Sequence, residues 1–394
     1  MKRIVTATMM TISVMCANAT TDRLVEQIIE TSPQAEALKS KLRAETASSL
    51  TTNNLNDPEV EFEHQWGMKG IGNKWGVSVS QDFDWPGTYS ARSRAAKLMR
   101  KASQSSFDSE LNELRLRVKL SLIDLCHANR DAALLDSIKN SLTQLLDKYR
   151  TSFDKGETTI LDVKKIEIEL LGVTRQLNEV IITRESIVGE LRSINPGFSW
   201  ENTLTLNQYP TEEGILTEAE YTEMLRQNDN RSRYLNDMKE LSIANAKVEH
   251  NSGMPGFAIG YRYDYELGER FNGLSVGVTL PLFSNRNKVK AAMAEADSYQ
   301  VSIVSRNAAL EAEWDAMRQQ AIRLSEECEQ YERILTTSDT QRLLKMALDG
   351  GEISLLNYLQ ETAYFKQAQR DYIATEHELH TVLAKLNRYI TTDI

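Results

Sequence analysis

The sequence predicts a mainly α-helical protein with a small transmembrane β part, built by duplication on the plan helix, β-hairpin, very long helix, helix. Three observations carry this expectation: the placement of the prolines, the alternation of apolar residues in four short segments, and punctuation that recurs along the chain. The seven prolines stand at 33, 58, 86, 196, 210, 255 and 281, so the stretches from Pro86 to Pro196 and from Pro281 to the C-terminus contain none inside them. Proline breaks a helix interior, so such stretches suit long helices. Set against itself at an offset of about 195 to 197 residues, the chain aligns Pro58 with Pro255, Gly76 with Gly273, Phe83 with Leu280 and Gly156 with Gly351. The segment Phe153 to Asp162 overlays Leu348 to Asn357. One half reads as a copy of the other.

Residues 1–19 read as an export signal: Lys2 and Arg3 precede the apolar run Ile4 to Met15, and Ala17-Asn18-Ala19 offers a small-x-small cleavage site. Lipidation at Cys16 is disfavoured because Met15 stands where a small residue is wanted. The first repeat then covers 20–197, with a β-hairpin at about 58–86 and a helical hairpin at about 88–194. Residues 198–215 form a connector, marked by the turn-rich stretch from Asn195-Pro196-Gly197 to Gly214. The second repeat covers 216–394, with a β-hairpin at about 255–284 and a helical hairpin at about 286–390.

Helices are expected from Asp22 to Ser49 (bent at Pro33), Ser90 to Ser152 and Thr158 to Ile194, and again from Thr217 to His250, Lys288 to Leu348 and Ile353 to Tyr389. In the second half Leu310, Trp314, Met317, Ala321, Leu324, Cys328, Tyr331 and Leu335 step by alternating four and three residues, the period of a coiled-coil seam. Leu111, Leu114, Val118, Leu125, Ala128, Ala132, Leu135 and Leu142 follow the same rule in the first half, and Leu116, Leu120, Ile123, Leu134 and Ile138 add a second stripe. Two stripes imply neighbours on two sides. Cys126 and Cys328 fall in these apolar settings and read as buried small hydrophobes.

The strands alternate. Val60, Phe62 and Trp66 oppose Glu59, Glu61, Glu63 and Gln65; Trp75, Val77, Val79, Phe83 and Trp85 oppose Gly76, Ser78, Ser80, Asp82 and Asp84. Phe257, Ile259, Tyr261, Tyr263 and Tyr265 oppose Gly256, Ala258, Gly260, Arg262 and Asp264, and Leu274, Val276, Val278, Leu280 and Leu282 oppose Ser275, Gly277 and Thr279. Segments near ten residues with an apolar and a wet face suit tilted membrane strands, although a half-buried sheet in a soluble domain shows the same period. Four strands cannot close a barrel, and open edges in hydrocarbon leave backbone groups unpaired, so several chains would have to share one. No run of eighteen apolar residues outside the signal supports a spanning helix.

The net charge of −10 argues against a phosphate-neutralising surface, so no nucleic acid partner is expected. Enzymatic motifs are lacking: there is no GxxxxGK loop, no HExxH, and no Ser, His and Asp set in a strand-turn-helix context. No catalytic, cofactor-binding or metal-binding residue is assigned. The closest approach to a metal site, Glu376, His377 and His380, reads as a solvated helix end.

The whole arrangement resembles the TolC family of bacterial outer-membrane efflux channels. The resemblance spans almost the entire mature chain. It rests on the duplicated plan, on the strand exits Phe83-Asp-Trp-Pro-Gly-Thr-Tyr and Leu280-Pro-Leu-Phe-Ser-Asn-Arg, and on the turns Tyr149 to Val163 and Ala347 to Leu356. It implies a homotrimer with a twelve-stranded barrel in outer-membrane lipid and a periplasmic helical tunnel, which docks on a periplasmic adaptor protein and an inner-membrane transporter. The turns would form the tip, with Asp154, Lys155, Gly156, Glu157 and Thr158 in one copy and Asp349, Gly350, Gly351, Glu352 and Ile353 in the other as adaptor-contact candidates. Gly156, Gly350 and Gly351 fit left-handed helix caps, and turn chemistry alone also explains them. Asp162, Asn357 and Gln360 are the periplasmic gate candidates; the second repeat departs from acid-lined members by its Asn and Gln, and Asp162 reads equally as an exposed helix residue. Glu59, Glu61, Glu63, Asp82 and Asp84 would line the barrel lumen, or simply be solvated. The alternative is a periplasmic adaptor or other coiled-coil interaction protein of an export system, which usually resembles one hairpin inserted in a β domain, whereas this chain carries two. Met and Cys are too few and scattered to argue for soft-metal cargo.

Overall fold

The computed structural model describes residues 23–68, 72–209, 214–336 and 340–389; the expected export signal and Cys16 lie outside them. Residues 23–30 are helical, and after a break at Thr31 and Ser32 helix α1 runs Pro33–Thr51. Then come β1 (Glu59–Gln65), β2 (Lys74–Phe83), α2 (Pro86–Asp154), α3 (Ile160–Ile194), a short 3-10 turn (Thr203–Thr205), α4 (Glu218–Asn228), α5 (Asn230–Ser252), β3 (Gly256–Glu266), β4 (Glu269–Thr279), α6 (Lys288–Thr336), α7 (Thr340–Asp349) and α8 (Leu355–Leu386). Helix α2 has 69 residues, roughly 100 Å at 1.5 Å per residue. Among the described residues no helix is long and apolar enough to cross a membrane.

Expected elements change in two ways. The helix expected from Thr217 to His250 is two helices, because Asp229 leaves the helical region (φ −75°, ψ 83°) and its carboxylate accepts the backbone N–H groups of Arg231 and Ser232. An acidic side chain that can reach the free N–H groups of a new first turn restarts a helix there. The bend expected at Pro33 is a break of the same kind. Ser32 Oγ accepts the Gln34 N–H at 3.1 Å and donates to the Ile194 carbonyl at 2.8 Å, and Pro33 takes the first helical position, where no N–H is needed. The second change is in β4, which begins at Glu269 and stops at Thr279, so Leu280 and Leu282 lie beyond it. Pro281 has no N–H to give a ladder. The early start follows from a two-residue turn, Leu267 and Gly268, both with positive φ (51° and 90°), that pairs Glu266 directly with Glu269.

The chain divides into two compact units. One holds residues up to Ala37, Leu111–Asn228 and from Glu311 on; the other holds Leu38–Glu110 and Asp229–Leu310. Each unit therefore draws on both sequence repeats.

The second unit contains the sheet. Its order is β1-β2-β3-β4, antiparallel throughout, and the two hairpins join through β2 and β3 from Trp75↔Tyr265 to Phe83↔Phe257. The register puts Val60, Phe62, Val77, Val79, Ile259, Tyr261, Leu274 and Val276 on one face, as the alternation predicts. Among the described residues nothing covers that face: Phe62 is 66 %, Val60 68 %, Val276 76 % and Leu274 82 % exposed. Helices α2 and α5 pack in this unit through Ala95, Leu241 and Ala244, and buried Asp237 is held by Lys101 at 2.7 Å and Ser105 at 2.6 Å.

The first unit buries most of its seams. Leu114, Val118 and Leu125 of α2 meet Val188, Leu191 and Ile194 of α3 and Ile28 and Ile29. In the part of α6 that belongs to this unit, Trp314, Ala321 and Leu324 are buried, whereas Cys328 is only half-buried, so of the two described cysteines Cys126 alone behaves as a fully buried hydrophobe. Burial pushes the Cys126 thiol up to about 12, so it stays an inert thiol. The connector is strapped down: Trp200 is buried, and Asn129 donates to the carbonyls of Leu204 and Leu206 at 3.1 and 2.7 Å.

Candidate functional site

In the first unit both copies of the turn are built on one scheme. Helix α2 ends with Gly156 at φ +75°, whose N–H reaches the Phe153 carbonyl at 2.9 Å while the Glu157 N–H reaches Ser152 at 2.9 Å. Helix α7 ends with Gly351 at φ +73°, whose N–H reaches Leu348 at 3.1 Å while the Glu352 N–H reaches Ala347 at 2.8 Å. A Cβ at either glycine would meet nothing within 4 Å, so the left-handed backbone and not crowding selects glycine. Gly350 departs from the expectation. It has no positive φ and simply extends the helix, its N–H on the Met346 carbonyl at 2.8 Å.

The following helices start alike. Thr159 caps α3, accepting the Asp162 N–H at 3.2 Å and donating its hydroxyl to the Asp162 carboxylate at 2.7 Å; Ser354 caps α8 by accepting the Asn357 N–H at 3.2 Å. Asp162 and Asn357 thus occupy the same capping position in the two copies. The hydroxyl of Thr159, and then Lys165 at 3.1 Å, hold the Asp162 carboxyl below the usual carboxylate range.

The structure brings the two turns together. Lys148 of α2 pairs with Asp349 at 2.7 Å, and Leu146, Val163, Ile166 and Leu355 share one core beneath them. Asp154, Lys155, Gly156, Glu157, Gly350, Gly351 and Glu352 stand exposed above it, with Thr158 and Ile353 half-buried. Of the gate candidates, Asn357 and Gln360 are exposed on α8 and Asp162 is half-buried; among the described residues none of the three bonds to another of them.

In the sheet unit, Glu59, Glu61, Glu63 and Asp82 share the face opposite the apolar one. The alternation already puts Arg262 on the wet face of its strand, but not beside its partners. Arg262 donates to Glu63 at 2.8 Å and to Asp264 at 3.0 Å, while Gly76 gives Asp264 its room, since a Cβ there would lie 2.2 Å from the carboxylate. Asp84 pairs with Arg92 at 2.6 Å. Two of the five acids therefore carry a positive partner, and the face is a mixed-charge surface more than an acidic one. The signal was available in the register: Arg262 faces Ser78, which itself faces Glu61.

A second cluster lay hidden in the first unit. Glu376, His377 and His380 are not a solvated helix end but half-buried links. Arg130 bonds Glu376, His377 Nε2 lies 2.6 Å from Asp124 Oδ1, and Arg370 forks onto buried Asp131 with two bonds of 2.8 Å. Among the described residues no group of His, Cys, Asp and Glu is arranged to hold a metal ion.

No protein-family profile matches the sequence, and no curated relative is found. Solved structures do match its backbone. The outer-membrane channel OprN superposes with a TM-score of 0.77 at 16% identity, over 94% of this chain and 90% of that one. The CmeC outer membrane channel of Campylobacter jejuni gives 0.70 at 15% identity, over 93% and 85%. The outer membrane protein VceC of Vibrio cholerae gives 0.71 at 12% identity, over 94% and 96%. The fold is that of the TolC-family outer-membrane channels, as the resemblance read from the sequence implies.

Proposed function

We propose that this chain is one subunit of a homotrimeric outer-membrane channel, the passive exit duct of a tripartite efflux pump for small molecules or ions. One observation carries the reading: a four-stranded sheet with two open edges, β1 and β4, and an apolar face left bare. In water that face is an aggregation hazard. In lipid it is at home, and the edges are satisfied only when β4 of one copy pairs with β1 of the next, which three copies do in twelve strands. Helix α3 supports the same assembly, since Leu161, Ile168, Leu171 and Ile182 are exposed along it and call for a neighbour.

The wet face would then line the lumen, with Glu59, Glu61, Glu63, Asp82 and Asp84 offset by Arg262 and Arg92. The exposed turns around Gly156 and Gly351 would meet the periplasmic adaptor, and Asp162, Asn357 and Gln360 would edge the periplasmic entrance, where Asp162 already serves as a helix cap. An inner-membrane transporter would supply the cargo, and no chemistry is performed on it.

The test is direct. The mature chain, extracted in detergent, is expected to sediment as a trimer, to fractionate with the outer membrane and to give discrete conductance steps in planar bilayers. A monomer soluble without detergent would end the proposal, and retention with the inner membrane would favour the adaptor class. Reversal potentials should move toward stronger cation selectivity when Arg262→Gln unmasks Glu63 and Asp264.

A further inference from the structure

Three of the five histidines meet at one junction inside the first unit, where α2 packs against α8. The rings of His127 and His377 have centroids 4.5 Å apart at 32°. His380 stacks on Tyr209 at 4.5 Å. The neighbouring charges are already committed: Asp124 to His377, Arg130 to Glu376, and Asp131 to Arg370. Cys126 of α2, Tyr372 of α8 and Cys328 of α6 complete the titratable surroundings, each thiol and phenol pushed up by burial.

We propose that the His127–His377 pair is a proton-operated latch between α2 and α8, closed while the His127 imidazole is uncharged and loosened when that ring takes up a proton. The role of this latch in a duct wall rests on the reading above; the latch itself does not. His377 Nε2 lies 2.6 Å from Asp124 Oδ1, so that ring has a carboxylate beside it. On His127 the carboxylates of Asp131 and Asp124 favour a proton, but only partly offset burial and the neighbouring ring. The His127 ring bonds the Ile373 carbonyl, and its Nδ1 is buried without a hydrogen-bond partner. Charging it would create a buried N–H with no acceptor and set a second cation against the first.

Burial, and then the charge of His377, hold His127 below the usual imidazole range. The packed junction therefore binds protons less readily than a loosened one. Its stability is present above the ordinary imidazole pKa of about 6.5 and is lost as pH falls through it. Carboxylates titrate lower, so a drop from about pH 7.5 to about pH 5.5 isolates the histidines.

Amide hydrogen exchange on the intact trimer in detergent, corrected for the intrinsic pH dependence of exchange, reads this out. Protection across residues 370–380 should fall by up to about tenfold at pH 5.5 relative to pH 7.5, and His127→Gln should make it independent of pH. NMR titration of the wild-type His127 ring, needing no variant, should place it below a free imidazole. Unchanged protection in the wild type, a full pH effect in H127Q, or an ordinary His127 titration would each overturn the latch. In bilayers, wild-type conductance should rise at pH 5.5 and that of H127Q should not. Loss of protection without a change in conductance would overturn the gating role. A protein that forms no pore would overturn the duct reading, while the exchange result still decides the latch.

Discussion

Both repeats break their first helix at the same place, Ser32 in one and Asp229 in the other, 229 − 32 = 197 residues apart, yet they do it with different chemistry. The first break uses a proline at the new helix start and a neutral hydroxyl, which gives its proton to the Ile194 carbonyl and receives that of the Gln34 amide. The second has Asn230 in place of proline, so nothing in the covalent backbone stops the helix. There the carboxylate of Asp229 does the work, and Arg306 clamps it at 2.8 Å in a site where Asp229 has 4% of its side chain exposed. The same backbone feature thus stands at matching positions of the two halves with different causes, proline geometry in one and a long-range ion pair in the other. The first kind of cause, a proline and a neutral hydroxyl, is indifferent to acid pH. The second, a carboxylate held by an arginine, is not.

That contrast orders the expected effects. Asp229→Ala should be the most damaging, about 3 kcal/mol by denaturant titration in micelles, because it takes the carboxylate from a partly buried arginine and uncaps α5. Burial alone would raise the Asp229 carboxyl, but hydrogen bonds from Arg306 and Ser232 more than offset it and leave it below the ordinary range. Its contribution is therefore present above the normal aspartate pKa of about 3.9 and lost as pH falls through that value toward its own. A wild type whose advantage over the Ala variant stays constant down to pH 2 would contradict this sign.

The tip turns extend the comparison to glycine. Gly351→Ala and Gly156→Ala should each cost about 1 to 2 kcal/mol, since an L-residue is forced left-handed, whereas Gly350→Ala should stay within about 0.5 kcal/mol. Its new Cβ would lie 3.3 Å from the Met346 carbonyl, with Glu352 and the Ala347 carbonyl at 3.8 and 3.9 Å. Equal costs at 350 and 351 in thermal melts would refute the assignment of the cap. Ser32→Ala should cost about 1 kcal/mol with no dependence on acid pH, the neutral counterpart of Asp229. Smallest is Asp162→Asn, expected below about 0.5 kcal/mol because its partner Lys165 is largely solvated. A larger loss, or a changed conductance without a stability change, would favour a gate role over a cap role for this residue.

The reach of the sequence follows the range of each interaction. Gly156 and Gly351 were legible because a left-handed cap is a local demand on one residue. The strand faces were legible because side chains alternate by covalent geometry. The break at Asp229 was not, since a lone Asp amid polar residues is ordinary until Arg306, 77 positions later, arrives beside it. Arg262 beside Glu63 and the links from α2 to α8 were hidden for the same reason, their partners lying 199 and 239 to 253 positions apart.

What the sequence determined by itself is therefore the long helices, the two turns and the two-faced strands, all written by backbone sterics and periodicity within a few residues. The tertiary structure alone decided which charges are partnered, where a helix restarts without proline, and that His127 faces His377. Those outcomes depend on the relative placement of helices far apart in the chain, and local residue preferences do not encode it.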